Sequence, residues 1–138
     1  MAKKFSIFTL KNNVSDKSSL TPLELKNYID FEIKRVYFIS NIKTSIGGHC
    51  HLEEKELFVM LKGSCTAVID QGNGREEFTL EGSKHAMYVA NFIWHGFKNF
   101  SDHAVILALS STNYKPDRSD YIENYEEYLK IRDEKLKQ

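Results

Sequence analysis

Between Phe31 and Ser111 the chain breaks into short runs that alternate apolar and polar residues, each closed by turn-forming residues. That rhythm restricts the fold more than any other feature of the sequence. A period of two turns one face of a strand toward a core and the other toward solvent or a second layer. In Phe31 to Ser40, the residues Phe31, Ile33, Arg35, Tyr37 and Ile39 share one face. Strands are expected next over Glu56 to Lys62 and Ser64 to Gln71, then Gly72-Asn73-Gly74 as a hairpin loop, because Gly and Asn tolerate positive φ. Arg75 to Glu81, Ala86 to Val89, Ile93 to Phe100 and His103 to Ser111 continue the series, and Lys4 to Leu10 reads as a further strand near the start. Strands spaced this regularly predict an all-β sandwich or barrel. From Asp120 the period changes: Tyr121, Ile122, Tyr125, Tyr128 and Leu129 recur at helical spacing. Asp120 followed by Glu123 resembles a helix start, so a C-terminal α-helix is expected over about residues 119–137, its tyrosines packed on the outside of the β layer.

The chemistry-bearing residues fall inside this β region. His49 and His51 flank Cys50. On a strand both imidazoles face one way and Cys50 faces the other. Glu56 lies on the next expected strand and His95 on a later one. Two histidines, a carboxylate and a third histidine on neighbouring strands suit a metal ion or proton transfer beside a carbonyl. His85 and His103 lie in polar, loop-like contexts and are expected at the surface. Cys50 and Cys65 read as small packing residues.

Composition removes several functional classes. Lys plus Arg and Asp plus Glu each total 19, so the formal net charge is zero, which gives no bulk electrostatic support to nucleic-acid binding. No run approaches the length of a membrane span, the start has no signal-like apolar stretch, and two cysteines do not make a disulfide framework. A cytoplasmic protein of 138 residues, most simply one domain, with no membrane or nucleic-acid partner is the expectation.

Taken in order, the motifs resemble those of the nucleotide-sugar 3,4-ketoisomerases, small cupins that act on dTDP-4-keto-6-deoxyglucose. The likeness runs through Leu20-Thr21-Pro22-Leu23-Glu24, the Ile33 to Ile39 strand with its arginine and tyrosine, and Gly48-His49-Cys50-His51. It continues through Gly63-Ser64, Tyr88-Val89, Trp94-His95 and Asp120-Tyr121-Ile122 with Tyr125, so it covers nearly the whole chain. The resemblance implies a cupin jelly-roll barrel (RmlC-like) with a C-terminal helix, and a homodimer that exchanges N-terminal strands. It further implies movement of a ketone from C4 to C3 of a dTDP-linked hexose, with no cofactor and no metal. The chain departs from the pattern at Glu56, where these isomerases usually carry glutamine, and at Lys17-Ser18, where an Arg-Gly pair is often seen.

A 3,4-ketone shift removes a proton from C3, passes through an enediolate and returns a proton at C4. Electrons only rearrange within the sugar, so no redox partner is required. Histidine suits such a base because its ordinary pKa lies near neutrality. His49 is assigned as the base at C3, with His51 and Tyr37 as proton relays or enediolate donors and His95 at C4. Arg35 is the candidate for the pyrophosphate or a sugar oxygen. Glu56 is expected to orient a histidine, and Trp94 to line the substrate beside His95. Two other readings stand beside this one. The first is a metal-dependent cupin enzyme using His49, His51, Glu56 and His95; the second is a non-catalytic sugar-binding cupin.

Overall fold

The computed structural model describes residues 4–136. Twelve strands and one α-helix account for its regular structure, with a 3₁₀ turn at Leu25–Asn27. The strands are β1 (Phe5–Thr9), β2 (Asn13–Val14), β3 (Ser19–Leu20), β4 (Arg35–Ile39), β5 (Ile46–His51) and β6 (Glu56–Lys62). They continue as β7 (Ser64–Asp70), β8 (Arg75–Glu81), β9 (His85–Val89), β10 (Trp94–Lys98), β11 (Val105–Ser110) and β12 (Tyr121–Ile122), before α1 (Tyr125–Leu136). Two five-stranded antiparallel sheets, in the orders β1-β9-β6-β11-β4 and β12-β5-β10-β7-β8, face one another as a jelly roll. This is the expected all-β cupin architecture.

The core between the sheets is drawn from both. Phe58 and Met60 of β6, Met87 and Val89 of β9, and Ile106 and Ala108 of β11 meet Ala67 and Ile69 of β7, Leu80 of β8 and Phe97 of β10. The first sheet is also covered on its outer face, where Leu57, Val59, Ala86 and Tyr88 lie under Leu23, Leu25, Phe31 and Ile33. β6 is buried on both faces and accordingly reads as an almost unbroken apolar run rather than an alternation. The second sheet carries α1 on its outer face, with Tyr128 and Ile122 packed on Cys50 and Trp94.

Three expectations from the sequence change. The Phe31 to Ser40 segment is a strand only over Arg35–Ile39. Ile33 packs on the outer layer while Tyr37 packs against the inner core, so the chain crosses the sheet edge between them and cannot run on as one strand. The helix starts at Tyr125 rather than near 119, because Tyr121 and Ile122 pair with β5 instead. Its cap is Asn124, whose Oδ1 accepts the Glu127 N–H at 3.0 Å, as N-cap side chains do. His85 is half-buried and its Nδ1 accepts the Glu81 N–H at 3.0 Å, whereas His103 is exposed as expected.

The contact between β5 and β10 sets the position of the histidines. His95 pairs directly with His49, and the register then slips so that Gly96 faces Gly47, leaving Gly48 as the extra residue of a bulge. Gly47 and Gly48 both have φ near +80°, a conformation L side chains rarely adopt. A Cβ on Gly96 would lie 2.8 Å from the Gly48 nitrogen. Gly96→Ala should therefore force the two strands apart and cost about 1–3 kcal/mol, as overpacking does. Urea unfolding measures this; an unchanged midpoint would show that the close approach is not required.

Candidate active site

β5, β6 and β10 each turn side chains into the same end of the barrel. His49 and His51 come from β5, Glu56 from the start of β6 and His95 from β10. The potential ligand atoms of these four residues all lie within 4.8 Å of one another. His51 Nε2 is 3.2 Å from His49 Nε2 and 3.1 Å from Glu56 Oε1. His95 Nε2 lies 3.8 Å from the same carboxylate oxygen. Tyr37, on β4, donates its hydroxyl to the other oxygen of Glu56 in a short hydrogen bond. His51, Glu56 and His95 are buried, while His49 is only partly so and forms the accessible side of the cluster.

A second set of groups lies behind His51. Its Nδ1 is 3.1 Å from Asp120 Oδ2 and 3.7 Å from Glu54 Oε2. Glu54 in turn accepts from Arg35 Nη2 at 3.0 Å and from the Ser110 hydroxyl at 2.8 Å. The Tyr121 ring packs against His51 and His49, with centroids 4.5 and 5.0 Å away, and the Arg118 guanidinium lies 3.7 Å over that ring.

A family model described as FdtA: WxcM-like, C-terminal matches residues 3–133, the strands that build this cluster and most of α1 included. The chain belongs to that family. It is 34% identical over 126 residues to a TDP-4-oxo-6-deoxy-alpha-D-glucose-3,4-oxoisomerase from Aneurinibacillus thermoaerophilus, covering 90% of this chain and 89% of that one. Among solved structures, the TDP-quinovose 3,4-ketoisomerase WlaRB of Campylobacter jejuni is similar with a TM-score of 0.82 and 32% identity, over 94% of this chain and 99% of that one. The sugar 3,4-ketoisomerase QdtA of Thermoanaerobacterium thermosaccharolyticum, solved in complex with TDP, is similar with a TM-score of 0.85 and 26% identity, over 98% of both chains.

Six of the seven residues singled out in the sequence come together here: His49, His51, His95, Tyr37, Glu56 and Arg35. Trp94 does not. It neighbours His95 in sequence, so on a strand it points the opposite way. It packs beneath α1 against Tyr125 and Tyr128, with ring centroids 5.2 and 5.6 Å away. The expectation that it lines the substrate beside His95 is corrected accordingly. Arg35 is also not free: besides its bond to Glu54, it stacks on Tyr37 and Tyr114, and its buried Nε has no hydrogen-bond partner among the described residues. The sequence reading passed over Glu54 and Asp120. Glu53-Glu54 looks like a polar turn and Asp120 like a helix cap, yet both side chains are buried.

The electrostatics divide the three histidines. Burial, together with neighbouring His95, His51 and Arg118, pushes His49 down to about 2. His95 is pushed down to about 4, by burial first, against the raising influence of Glu56. Burial would lower His51 as well, but its hydrogen bond to Glu56 and the charges of Glu56, Glu54 and Asp120 outweigh it and raise the pKa. Glu56 is held below the usual carboxylate range because His51, His95 and Tyr37 outweigh its burial. The cluster thus places one imidazole whose proton affinity its carboxylates raise, His51, beside two whose proton affinity burial lowers, His49 and His95.

The donor set fits a divalent transition ion. His95 Nδ1–H donates to the Ile93 carbonyl at 3.0 Å, which leaves Nε2 as a lone pair, buried and without a hydrogen-bond partner among the described residues. Imidazole and carboxylate donors of this kind suit several metals.

Linkage gives a pH signature. A histidine whose folded pKa is depressed leaves the unfolded chain binding more protons below about pH 6.5, so stability falls as pH drops. For His95, ordinary value 6.5 and pushed to about 4, the loss is on the order of 3 kcal/mol once pH is below both values. His51 acts in the opposite sense, its contribution being complete below 6.5 and lost as pH rises through its raised folded value. Urea midpoints should therefore decline from pH 6.5 toward 4, and His95→Gln should lessen the decline, the remainder coming from His49. A wild-type profile that stays level over that range would contradict buried neutral histidines.

Proposed function

We propose that this protein is a sugar-nucleotide 3,4-ketoisomerase that converts dTDP-4-keto-6-deoxyglucose to a dTDP-3-keto-6-deoxyhexose. The observation that carries the reading is the placement of one partly buried histidine, His49, against a fully buried one, His51, whose ring is itself held between carboxylates. The similarity to proteins named for this reaction supports it.

His49 takes the proton from C3. The electron pair of that C–H bond forms the C3–C4 double bond, and the C4 carbonyl oxygen becomes an oxyanion. In the free site His49 is a weak base because it sits in a buried, cationic setting. The forming enediolate supplies negative charge beside it and raises its affinity for the proton as transfer proceeds. His51 donates from its cationic edge toward that charge. The hydroxyl proton moves from O3 to O4, a proton returns to C4, and C3 is left as the carbonyl. His95 serves the C4 side through its free Nε2. Glu56 fixes His51 and Tyr37 in one hydrogen-bonded unit, so Tyr37 acts as part of that unit rather than as a separate acid. Arg35, at the mouth with one unsatisfied N–H, meets the pyrophosphate or a sugar oxygen.

A divalent ion, if bound, would be held by His49, His51, Glu56 and His95 and would act as a Lewis acid on the carbonyl. The free lone pair of His95 favours that second reading. The first has His51 already supplying a cation, so chemistry needs neither metal nor cofactor. Turnover of chelator-treated enzyme separates them: full activity supports the imidazolium mechanism, whereas loss that a divalent ion restores supports the metal reading.

In the assembly we propose, two copies exchange N-terminal strands in the cytoplasm. Val14 and Leu20 on the β2-β3 hairpin and Val36 and Phe38 on edge strand β4 are exposed apolar residues that a second copy would cover. β1 pairs here with β9 of its own chain, and exchange would keep that register between subunits. Among the described residues no helix is long and apolar enough to cross a membrane.

His49→Ala should lower turnover of dTDP-4-keto-6-deoxyglucose by about 10²–10⁴-fold while TDP binding is retained, the usual contribution of a positioned acid–base group. A variant with near-wild-type turnover would remove His49 from the base role. Retained ligand binding with no wild-type turnover would point to a binding protein instead.

A further inference from the structure

β12 is only two residues long, yet it places three things at once. Tyr121 pairs with His51 and Ile122 with Cys50, and the Leu52 N–H donates to the Asp120 carbonyl at 2.9 Å. Ile122 is anchored beneath α1 with Cys50, Trp94 and Tyr128. This fixes the Asp120 side chain, 5% exposed, directly behind His51, which is 2% exposed. Asp120 Oδ1 accepts the Glu53 N–H at 2.6 Å, and Oδ2 accepts the Glu54 N–H at 3.3 Å and faces His51 Nδ1 at 3.1 Å. The Tyr121 ring closes over the faces of His51 and His49.

We infer that Asp120 is the positioning residue of His51, holding the ring with a proton on Nδ1 so that its Nε2 edge is presented to His49 and Glu56. This rests on the ketoisomerase reading of the same site. A plain turn cap would need only the bonds to Glu53 and Glu54. The oxygen turned onto Nδ1 goes beyond that role, because a buried ring nitrogen facing a carboxylate oxygen at hydrogen-bond distance must carry the shared proton. Glu54 cannot replace it: its nearest oxygen is farther, 3.7 Å, and its other oxygen is taken by Arg35 and Ser110. An amide at position 120 has one acceptor in place of two. If it accepts from Glu53, its NH₂ faces Nδ1 and forces that nitrogen to become the acceptor, which deprotonates Nδ1.

The test joins kinetics to ring ¹⁵N NMR. Asp120→Asn should lower kcat by about 10²–10⁴-fold with KM changed little, as losing the orienting carboxylate of a catalytic histidine does. In the free enzyme, the His51 Nδ1 resonance should be that of a protonated nitrogen in the wild type and of an unprotonated one in Asp120→Asn. Asp120→Glu, which keeps the acceptor, should restore the protonated Nδ1 and part of kcat. An Asp120→Asn enzyme with full kcat would overturn the inference. So would a lowered kcat with the Nδ1 resonance unmoved, since the side chain would then matter only to the turn. If Asp120→Asn does not fold, the wild-type spectrum decides alone: an unprotonated Nδ1 refutes the positioning role. Because the spectra need no substrate, they stand even if the wild type proves inactive on the dTDP sugar, so the two failures are distinguishable.

Discussion

The site depends on one buried histidine held between carboxylates. His51 meets Glu56 through one nitrogen and Asp120 and Glu54 through the other, and taking an isolated charge so far from water would be prohibitive without those partners. Its neighbours differ. His49 and His95 are both pushed down by burial first, and then by the charges of the neighbouring histidines. Glu56 remains ionised and takes the Tyr37 hydroxyl on its free oxygen. A contrast in proton affinity thus arises between two imidazoles on one strand.

The barrel serves this arrangement by holding three strand ends within a few ångströms. Small residues at Gly47, Gly48 and Gly96 let β5 and β10 approach, and the bulge between them aims His49 and His95 at the same space. β6 supplies Glu56 from a strand buried on both faces, so its carboxylate has little freedom to move. The helix acts at a distance: by burying Ile122 and Trp94 it fixes β12, and with it Asp120, behind His51.

Strand positions were legible because alternation survives where one face is exposed, and because an unbroken apolar run marks β6, buried on both faces; β6 and β8 have the ends their patterns suggest. The pattern failed where burial is not periodic. Phe31 and Ile33 are apolar because they cover the outside of a sheet, whereas Tyr37 packs against its inside, so one run of alternation concealed a crossing. The His49, His51, Glu56 and His95 set was legible because strand geometry alone puts His49 and His51 on one face. Asp120 was not, since an acidic residue followed by Glu123 is also how helices begin, and only the pairing of β12 with β5 assigns it to His51. Trp94 was misplaced for a simpler reason: adjacency in a strand separates two side chains rather than joining them.

What most directly examines the site as a proton-transfer centre is the fate of hydrogen at C4 when the enzyme converts dTDP-4-keto-6-deoxyglucose in D₂O. The arrangement of His49, His51 and His95 predicts that the 3-keto product carries solvent deuterium at C4, readable as loss of the C4 proton signal in the NMR spectrum. A product that keeps at C4 the protium originally on C3 would contradict separate roles for His49 at C3 and His95 at C4, since the hydrogen would have been carried across without exchange.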